Sequence, residues 1–385
     1  MKDKLPINPD VLKWARTSLR LSLEEVARRL GAKFEVEVLQ AWENEEESPT
    51  YPQLEKLAHE IYKRPVAVFF FPSVPKEETP TTEFRTLPDN VADELPSEIV
   101  KLYRKAKLFQ LYIEELYEGE KSVTTSLLDA FELNEKSEFP LITKAIRKAL
   151  GVSIEEQSEW RSAEMAFNKW RDALEANGVF IFKDGFRNDG YSGFCLYHQK
   201  YPIIFVNNSM PDSRQVFTLF HELGHLLYHS GGIDFRSREA VRFFQGHYLN
   251  VEVSCNQFAN EFLVPQEVFD SFEPRISKAD FEKLADYFSV SREVILRKYL
   301  DRGLVDADYY EKMASEWAAQ AKKKGEPGGN YYYNQRTYLG ERYINLVYER
   351  YYQNRISVDS VAEYLNIKVK NLPTFEYVVM EGGKL

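Results

Sequence analysis

Three of the six histidines of this chain lie within nine residues, in the stretch FTLFHELGHLLYHSGG (217–232). His221 and His225 are four residues apart, and on an α-helix that spacing places two side chains one turn apart on the same face. Their imidazole nitrogens can therefore bind one metal ion. Glu222 lies beside that ion, where its carboxylate can take a proton from a metal-bound water. The H-E-x-x-H spacing thus predicts a metal site that activates water for hydrolysis.

The residues around these histidines have the pattern of a helix that packs against a core. Its apolar face consists of Phe217, Leu219, Phe220, Leu223, Leu226 and Leu227. Gly224 costs the helix about 1 kcal/mol of stability, but its missing side chain lets other groups approach closely. The alternative interpretation is an amphipathic helix whose histidines are incidental. The apolar context and a preceding strand favour the metal site.

A catalytic zinc ion usually has three protein ligands, so two histidines leave one ligand to be found. Glu252 is the better candidate, because it opens a second amphipathic helix and leans off the apolar stripe of that helix. Glu261, two and a half turns further along, is the competing carboxylate. His229 is rotated by about 80° from the first histidine of the motif. His247 lies in a segment without a clear pattern. His229 and His247 are therefore weaker candidates for the third ligand.

The elements that must position these residues belong to an α+β fold that is mostly helical. Three short apolar segments before the histidine helix are typical of strands: GVFIF (178–182), YSGFCLYH (191–198) and YPIIFVNN (201–208). Helical patterns are present at 91–117, 141–150, 277–320 and 336–372. The helix that carries Glu252 is expected to end at Pro265, because the residue before a proline is pushed out of helical geometry.

The N-terminal residues predict a string of short helices. LSLEEVARRLGA (21–32) begins with Ser22 as N-cap, and Glu25 completes a capping box. Further helices are expected near Glu35–Asn44 and Tyr51–Tyr62. This succession is typical of a helix-turn-helix domain.

Composition and charge limit the class of protein. The formal net charge of -10 provides no overall attraction to nucleic acid or to anionic membranes. Two cysteines, Cys195 and Cys255, are too few for a disulfide framework, and a reducing cytoplasm is the default interpretation. The first ten residues contain no apolar signal core, and the longest apolar runs are too short to span a bilayer. We therefore expect a soluble cytoplasmic protein.

Two of these stretches resemble the ImmA/IrrE family of zinc metallopeptidases. RQVFTLFHELGHLLYH (214–229) resembles the active-site helix of that family. EVSCNQFANEFLVP (252–265) resembles its second segment, which is usually E-x-x-A-N-x-F-A with a closing L-x-P. Cys255 stands where alanine is usual, and it is small and apolar enough to be harmless.

The resemblance implies a zinc cofactor and assigns site residues. The implied metal ligands are His221, His225 and Glu252. Glu222 matches the catalytic acid of the family, and an attack on a peptide carbonyl also requires a group that stabilises the oxyanion. The candidates for that role or for supporting the ligands are His229, Tyr228, Asn256 and Arg297. The strand Ser192–Tyr197 is expected to pair with an extended substrate.

The resemblance covers most of the chain, is weakest at 86–140, and suggests the organisation of the chain. Fused members join the peptidase to an Xre-like helix-turn-helix, and KRPVAVFFFP (63–72) and EFR (83–85) are similar to that join. The expected segments are the helix-turn-helix domain (1–75), a linker and helical connector (76–140), the zincin-like metallopeptidase domain (141–275), a helical extension (276–321), and a C-terminal helical module (330–385). ISVDSVAEYLNI (356–367) is similar in pattern to LSLEEVARRLGA (21–32). The similarity indicates either a second helix-turn-helix-like module or two unrelated capped amphipathic helices.

The helix-turn-helix lacks the charge that DNA binding requires. From Phe34 to Glu55 there is no Lys or Arg, and the same window contains seven acidic residues. A major-groove helix normally presents Arg, Lys, Gln or Asn, and Gln40 and Asn44 are its only such residues. The basic residues that could contact phosphate lie earlier: Arg16, Arg20, Arg28, Arg29 and Lys33. Docking of a protein partner, or self-association, is therefore the alternative role of this domain.

Two functions follow from these patterns. The first is a zinc endopeptidase that cuts a protein partner, for which the resemblance implies a repressor or antitoxin-like regulator. The second is a DNA-binding transcriptional regulator or toxin-antitoxin component in which the zinc site is structural or silent. Salt-dependent DNA binding without zinc would favour the second function.

Overall fold

The computed structural model of the chain describes residues 5–31, 34–75, 95–118, 127–160, 162–235, 247–273, 275–321 and 330–380. These residues form two compact units, of which the first ends at residue 105 and the second begins at residue 106. Residues 76–94 and 119–126 of the predicted linker and helical connector (76–140) lie outside the described residues, and the EFR stretch (83–85) is among them. Lys33 and residues 322–329 lie outside the described residues as well.

The first unit is helical wherever it is described. Its helices are α1 (Pro9–Thr17), α2 (Leu23–Leu30), α3 (Val36–Glu43) and α4 (Tyr51–Lys56). A π-helical turn (Leu57–Tyr62) continues α4, and a 3-10 turn (Val66–Phe70) follows. The capping box of α2 is formed, because the Glu25 amide donates to Ser22 and the Ser22 amide donates to the Glu25 carboxylate. The helices thus lie where the sequence predicts them, while the helix-turn-helix assignment stays a prediction.

Arg16, one of the basic residues expected to be able to contact phosphate, is engaged in an ion pair within the first unit. Its Nε and Nη2 donate to the Glu43 carboxylate at 2.7 and 2.8 Å, and its Nη1 donates to the Leu21 carbonyl at 2.9 Å. The side chains of Arg16 and Glu43 are 13% and 4% exposed. A bidentate pair of this kind has the strongest geometry for an arginine and a carboxylate. Arg16 therefore holds α1 to the end of α3.

The second unit contains the remaining helices and the sheet. The helices are α5 (Ser97–Leu116, from residue 106 in this unit), α6 (Leu127–Ala130), α7 (Phe139–Leu150), α8 (Ile154–Ser158), α9 (Ala163–Ala176), α10 (Asp212–Leu227), α11 (His247–Leu263), α12 (Gln266–Asp270), α13 (Lys278–Tyr287), α14 (Arg292–Asp301), α15 (Ala307–Ala321), α16 (Tyr331–Leu339), α17 (Glu341–Tyr352), α18 (Val358–Tyr364) and α19 (Leu372–Met380). No helix in the described ranges is long and apolar enough to cross a membrane.

A four-stranded sheet lies within this helical unit, so the fold is α+β and mostly helical. The strands are β1 (Phe180–Asp184), β2 (Tyr191–Leu196), β3 (Ile203–Asn207) and β4 (Gly232–Phe235). Their order is β1-β3-β2-β4, with β1 parallel to β3 and β2 antiparallel to both β3 and β4. The first three strands were predicted. The sequence analysis missed β4, because four residues that begin with glycine show too little alternation to predict a strand.

The two faces of the sheet bury different side chains, as the two-residue period of a strand requires. One face contributes to the main core with Ile181, Cys195, Ile204 and Val206. The other face is aromatic: Phe109 of α5 stacks on Phe182 with ring centroids 4.4 Å apart, and Tyr343 of α17 meets Phe182 at 5.2 Å. The sheet is therefore buried on both faces.

The edge at β1 is closed by an arginine and a helix. The backbone groups of Phe180 and Asp184 form hydrogen bonds on the β3 side. Because backbone groups of successive residues point to opposite sides of a strand, the carbonyl of Ile181 points away from β3. Arg171 of α9 donates to that carbonyl and, at 2.7 Å, to the Thr337 carbonyl of α16. The outer side of β1 thus faces α16 rather than solvent.

Candidate metal centre

Helix α10 presents both histidines of the motif to one point. It begins at Asp212, whose negative charge suits a helix N-terminus, and every residue from Gln215 to Leu227 is buried. His221 is 1% exposed and His225 is fully buried. Their Nε2 atoms lie 3.2 Å apart. The one-turn spacing has therefore produced the convergence that the sequence predicts.

The Glu252 carboxylate reaches the same point from α11. Its Oε2 lies 3.4 Å from Nε2 of His221, and its Oε1 lies 3.2 Å from Nε2 of His225. The two helices can approach this closely because Gly224 has no side chain. A Cβ at that position would lie 3.1 Å from Sγ and 3.2 Å from Cα of Cys255. The glycine of the motif therefore sets the distance between the helices that carry the three groups.

The three groups fit a zinc ion. Their ligand atoms all lie within 4.8 Å of one another. A tetrahedral ion with bonds of about 2.0–2.1 Å holds its ligands about 3.3 Å apart, close to the separations observed here. Oε1 of Glu252 is buried and makes no hydrogen bond with any described residue. A buried polar atom left unpaired costs about 1–3 kcal/mol, so the arrangement is costly unless a cation binds there.

Glu222 is fully buried, and neither of its carboxylate oxygens has a hydrogen-bond partner in the described part of the chain. Burial raises the pKa of Glu222 to about 7, against the opposing charges of His225 and His221. A carboxyl group with a pKa near neutrality can both accept and release a proton at physiological pH. Glu222 is thus the one group at the site that is poised for proton transfer.

The three convergent side chains carry complementary charges. Burial tends to lower the pKa of His221, but the carboxylates of Asp234 and Glu252 outweigh it and raise that pKa to about 9. Burial tends to raise the pKa of Glu252, but the two histidines lower it to about 2. Because zinc binds neutral imidazole, metal uptake must displace protons from the histidines. Metal affinity should therefore fall as pH falls.

The sequence analysis missed a supporting network on β4. Asp234 accepts hydrogen bonds from Oγ1 of Thr218 at 3.0 Å and from Nη2 of Arg214 at 3.3 Å. Two residues earlier, a Cβ on Gly232 would lie 2.4 Å from Cγ of His225, so the strand backbone packs directly on that ring. β4 thus orients both the motif helix and one of its imidazoles.

Two residues that follow the motif have partners elsewhere. Tyr228 is half-buried at the C-terminus of α10. His229 has a left-handed backbone with φ 53°, and its ring packs against Tyr197 with centroids 5.2 Å apart. The chain therefore turns away from the helix at His229, whose ring faces Tyr197.

The other two candidates for a supporting role make local contacts. Nδ2 of Asn256 donates to the backbone carbonyl of Glu252 at 2.8 Å, one turn back in α11. Nε of Arg297 donates to Asp301 at 2.9 Å within α14. Neither contact directs a donor at the three convergent groups.

The alternative third ligands can be placed as well. Nζ of Lys298 lies 2.6 Å from Oε2 of Glu261, and the Gln266 amide donates to Oε1 of Glu261 at 2.9 Å. Both oxygens of this carboxylate are therefore occupied. His247 is the first residue of α11, and its side chain lies outside the described residues.

The expected substrate strand requires a correction. β2 was expected to pair with an extended substrate, but it lies inside the sheet and is paired on both sides, with β3 and with β4. Within the described residues β4 pairs only with β2, so its outer side is the edge beside the motif helix.

A comparison with known protein families finds a match that includes this metal centre. Residues 174–299 match the family model described as the IrrE N-terminal-like domain (Peptidase_M78). The matched segment contains α10, β4 and α11, and it leaves the first unit outside. No curated protein matches the chain. The match supports a metallopeptidase of the ImmA/IrrE type, and peptidases of this family are generally zinc-dependent.

Proposed function

We propose that this chain is a zinc-dependent endopeptidase that cleaves a protein partner. The observation that carries the proposal is the convergence of three buried donors, His221, His225 and Glu252, at separations of 3.2–3.4 Å. Glu222 lies next to the first of them in the chain and has no hydrogen-bond partner among the described residues. A purely structural zinc site is usually closed by four protein ligands and has no use for such a carboxylate.

The protein side of the reaction rests on Glu222. When bound, zinc polarises the scissile carbonyl and lowers the pKa of an attacking water towards neutrality. Glu222 accepts a proton from the attacking water while the oxygen of that water forms a bond to the carbonyl carbon. The same carboxyl group then delivers that proton to the amine as the C–N bond breaks.

The edge of β4, which pairs with no further strand among the described residues, is the surface we propose for an extended substrate. A peptide that adds to this edge would form main-chain hydrogen bonds with a strand whose Gly232 packs on His225. The peptide would then lie along the metal centre. β4 takes the role that the sequence analysis gave to β2.

The test of the mechanism is Glu222→Gln, which keeps the size of the side chain and removes the base. We expect zinc content to equal that of the wild type and cleavage to fall by a factor of about 10²–10⁴, as loss of a general base predicts. Cleavage at the wild-type rate by the zinc-loaded variant would refute the mechanism.

The substrate we propose is a repressor or antitoxin-like regulator. The support is the resemblance of the active-site segments to proteases that cut such partners. Co-expression with the product of the neighbouring gene should yield one cut with the wild type and none with Glu222→Gln. An intact partner in the presence of zinc would argue against this substrate.

The first unit is proposed to dock a protein rather than DNA. The exposed residues of α3 and its ends include Glu35, Glu37, Gln40 and Asn44, and no basic residue accompanies them. Arg16 is committed to Glu43. The alternative, a DNA-binding regulator with a silent metal site, rests on the order of α1 to α3. It predicts salt-dependent DNA binding by zinc-free protein.

A further inference from the structure

The second unit contains a cleft that is separate from the metal centre. It has a volume of about 700 Å³ and lies between α7, α8, the end of α11 and α12. Glu261 on its rim is nine residues beyond Glu252, a rise of about 13 Å along α11. None of the three convergent groups lines it. Its volume is in the range of pockets that hold small organic molecules.

A buried arginine that is not in ion-pair contact with any described carboxylate lines this cleft. Arg147 is 7% exposed. Its Nη1 donates to the Phe262 carbonyl at 2.9 Å, and its Nη2 donates to the Ser153 carbonyl at 3.1 Å and to Oε1 of Gln157 at 2.8 Å. All three acceptors are neutral. Of the five N–H groups of a guanidinium, two make no hydrogen bond with any described residue.

Burying a cation without an anion is costly, and the cost is visible here. Burial lowers the pKa of Arg147 to about 10, with only a small opposing contribution from Glu155. A carboxylate or phosphate in the cleft would provide the missing charge and accept the remaining N–H groups.

The cations of the cleft are gathered on α7. Helix α7 contains Lys144, Arg147 and Lys148 and no acidic residue, and both lysines are exposed at the cleft. Glu261 is neutralised by Lys298, whose Nζ lies 2.6 Å from it. The other acidic residues of the lining, Glu155 and Glu267, are partly or fully exposed.

Much of the remaining wall of the cleft is apolar. It includes Pro140, Val152, Ile154, Pro265 and Val268. A ligand must therefore combine a negative group with an apolar body. We propose that this cleft binds a small organic anion, a carboxylate or phosphate with an apolar body, whose charge pairs with Arg147. The proposal is independent of the peptidase function, because no residue of the metal centre takes part.

The experiment is a fluorescence titration of the full chain with 8-anilino-1-naphthalenesulfonate, an organic anion whose emission rises in apolar surroundings. The first variant is Lys144→Glu with Lys148→Glu, chosen because both lysines are exposed and their replacement leaves the core intact. We expect saturable binding to the wild type and binding about ten-fold weaker to this variant, from charge reversal near the anion. The second variant is Val268→Trp, which fills the cleft and should remove the binding.

The matched control is Lys169→Glu on the exposed side of α9, outside the cleft. It should bind the probe as the wild type does. Three results would overturn the proposal: no saturable binding to the wild type, binding unchanged in both cleft variants, or equal weakening by the control. The pairing with Arg147 is tested by Arg147→Met, in protein that circular dichroism shows to be folded. This variant should weaken binding of the probe at least as much as the lysine pair does, and unchanged binding would overturn the assignment of the charge to Arg147.

Discussion

Helix α11 carries two carboxylates in opposite situations: Glu252 is buried, and Glu261 is partly exposed. Glu252, near its start, faces two imidazoles, and its Oε1 lacks a hydrogen bond to any described residue. Glu261, near its end, has both oxygens occupied, by Lys298 and by the Gln266 amide. Both residues were weighed from the sequence as the third metal ligand.

The difference shows how the charge and hydrogen-bond partners of a carboxylate distinguish a metal ligand from a structural ion pair. A carboxylate with a cation and an amide in contact is complete, because its charge and its lone pairs are both matched. A buried carboxylate that faces two imidazoles with an unpaired oxygen is matched only when a metal joins them. The two replacements below should therefore affect different properties of the protein.

The largest expected effect is that of Glu252→Ala on metal content. Removal of one of three protein ligands should reduce bound zinc after dialysis from one equivalent to nearly none. Zinc content is measured by mass spectrometry of the purified protein. Retention of a full equivalent would show that another group completes the site.

The matched replacement, Glu261→Ala, should leave zinc bound and destabilise the fold. It leaves the Lys298 ammonium, whose side chain is 5% exposed, without its partner. Breaking one partner from a buried pair costs about 3–5 kcal/mol, which calorimetry would show as a lower Tm. If zinc is lost and stability is kept, the assignment of the two carboxylates must be reversed.

A smaller effect is expected from Gly224→Ala. The added Cβ would lie 3.1–3.2 Å from atoms of Cys255, so α10 and α11 must separate by a few tenths of an ångström. Zinc affinity should fall about ten-fold as Glu252 moves from the histidines. Competition with a chromophoric chelator measures it. Gly185→Ala, whose Cβ would meet only Oγ of Ser209 at 3.6 Å, is the control and should have no effect on affinity.

The smallest effect concerns Lys183, a buried charge with neither a metal nor an ion-pair partner at contact distance in the described residues. It is 5% exposed, and its Nζ lies 3.5 Å from the centre of the Phe167 ring. Burial lowers its pKa from 10.5 to about 7. The unfolded chain therefore binds more protons between these values, and stability should rise with pH across that window.

Lys183→Met should consequently stabilise the fold by about 1–3 kcal/mol at pH 7, and the gain should shrink as the pH approaches 10. Urea unfolding at both pH values measures the difference. A variant that is less stable than the wild type at pH 7 would show that the cation contributes favourably where it is.

The part of the site that depends on local geometry could be predicted from the sequence. The convergence of His221 and His225 follows from helical spacing alone. Glu252 was preferred to Glu261 from its position on the second helix and from the family resemblance. The pairing of Glu261 with Lys298, 37 residues away, is a contact that only the tertiary structure reveals. The strand β4, with Asp234, escaped for a similar reason, because its contacts with the motif helix have no local signature.

The closure of β1 has a consequence for how the protein meets unfolded polypeptides. Arg171 and α16 occupy the outer side of β1, so within the described structure β4 is the strand left to recruit a foreign segment. A foreign polypeptide segment therefore cannot pair with β1, the edge strand away from the metal centre. Edge-to-edge joining of sheets from two protein molecules through β1 is blocked in the same way. A chain shortened before α16 would lose this guard and should become prone to aggregation.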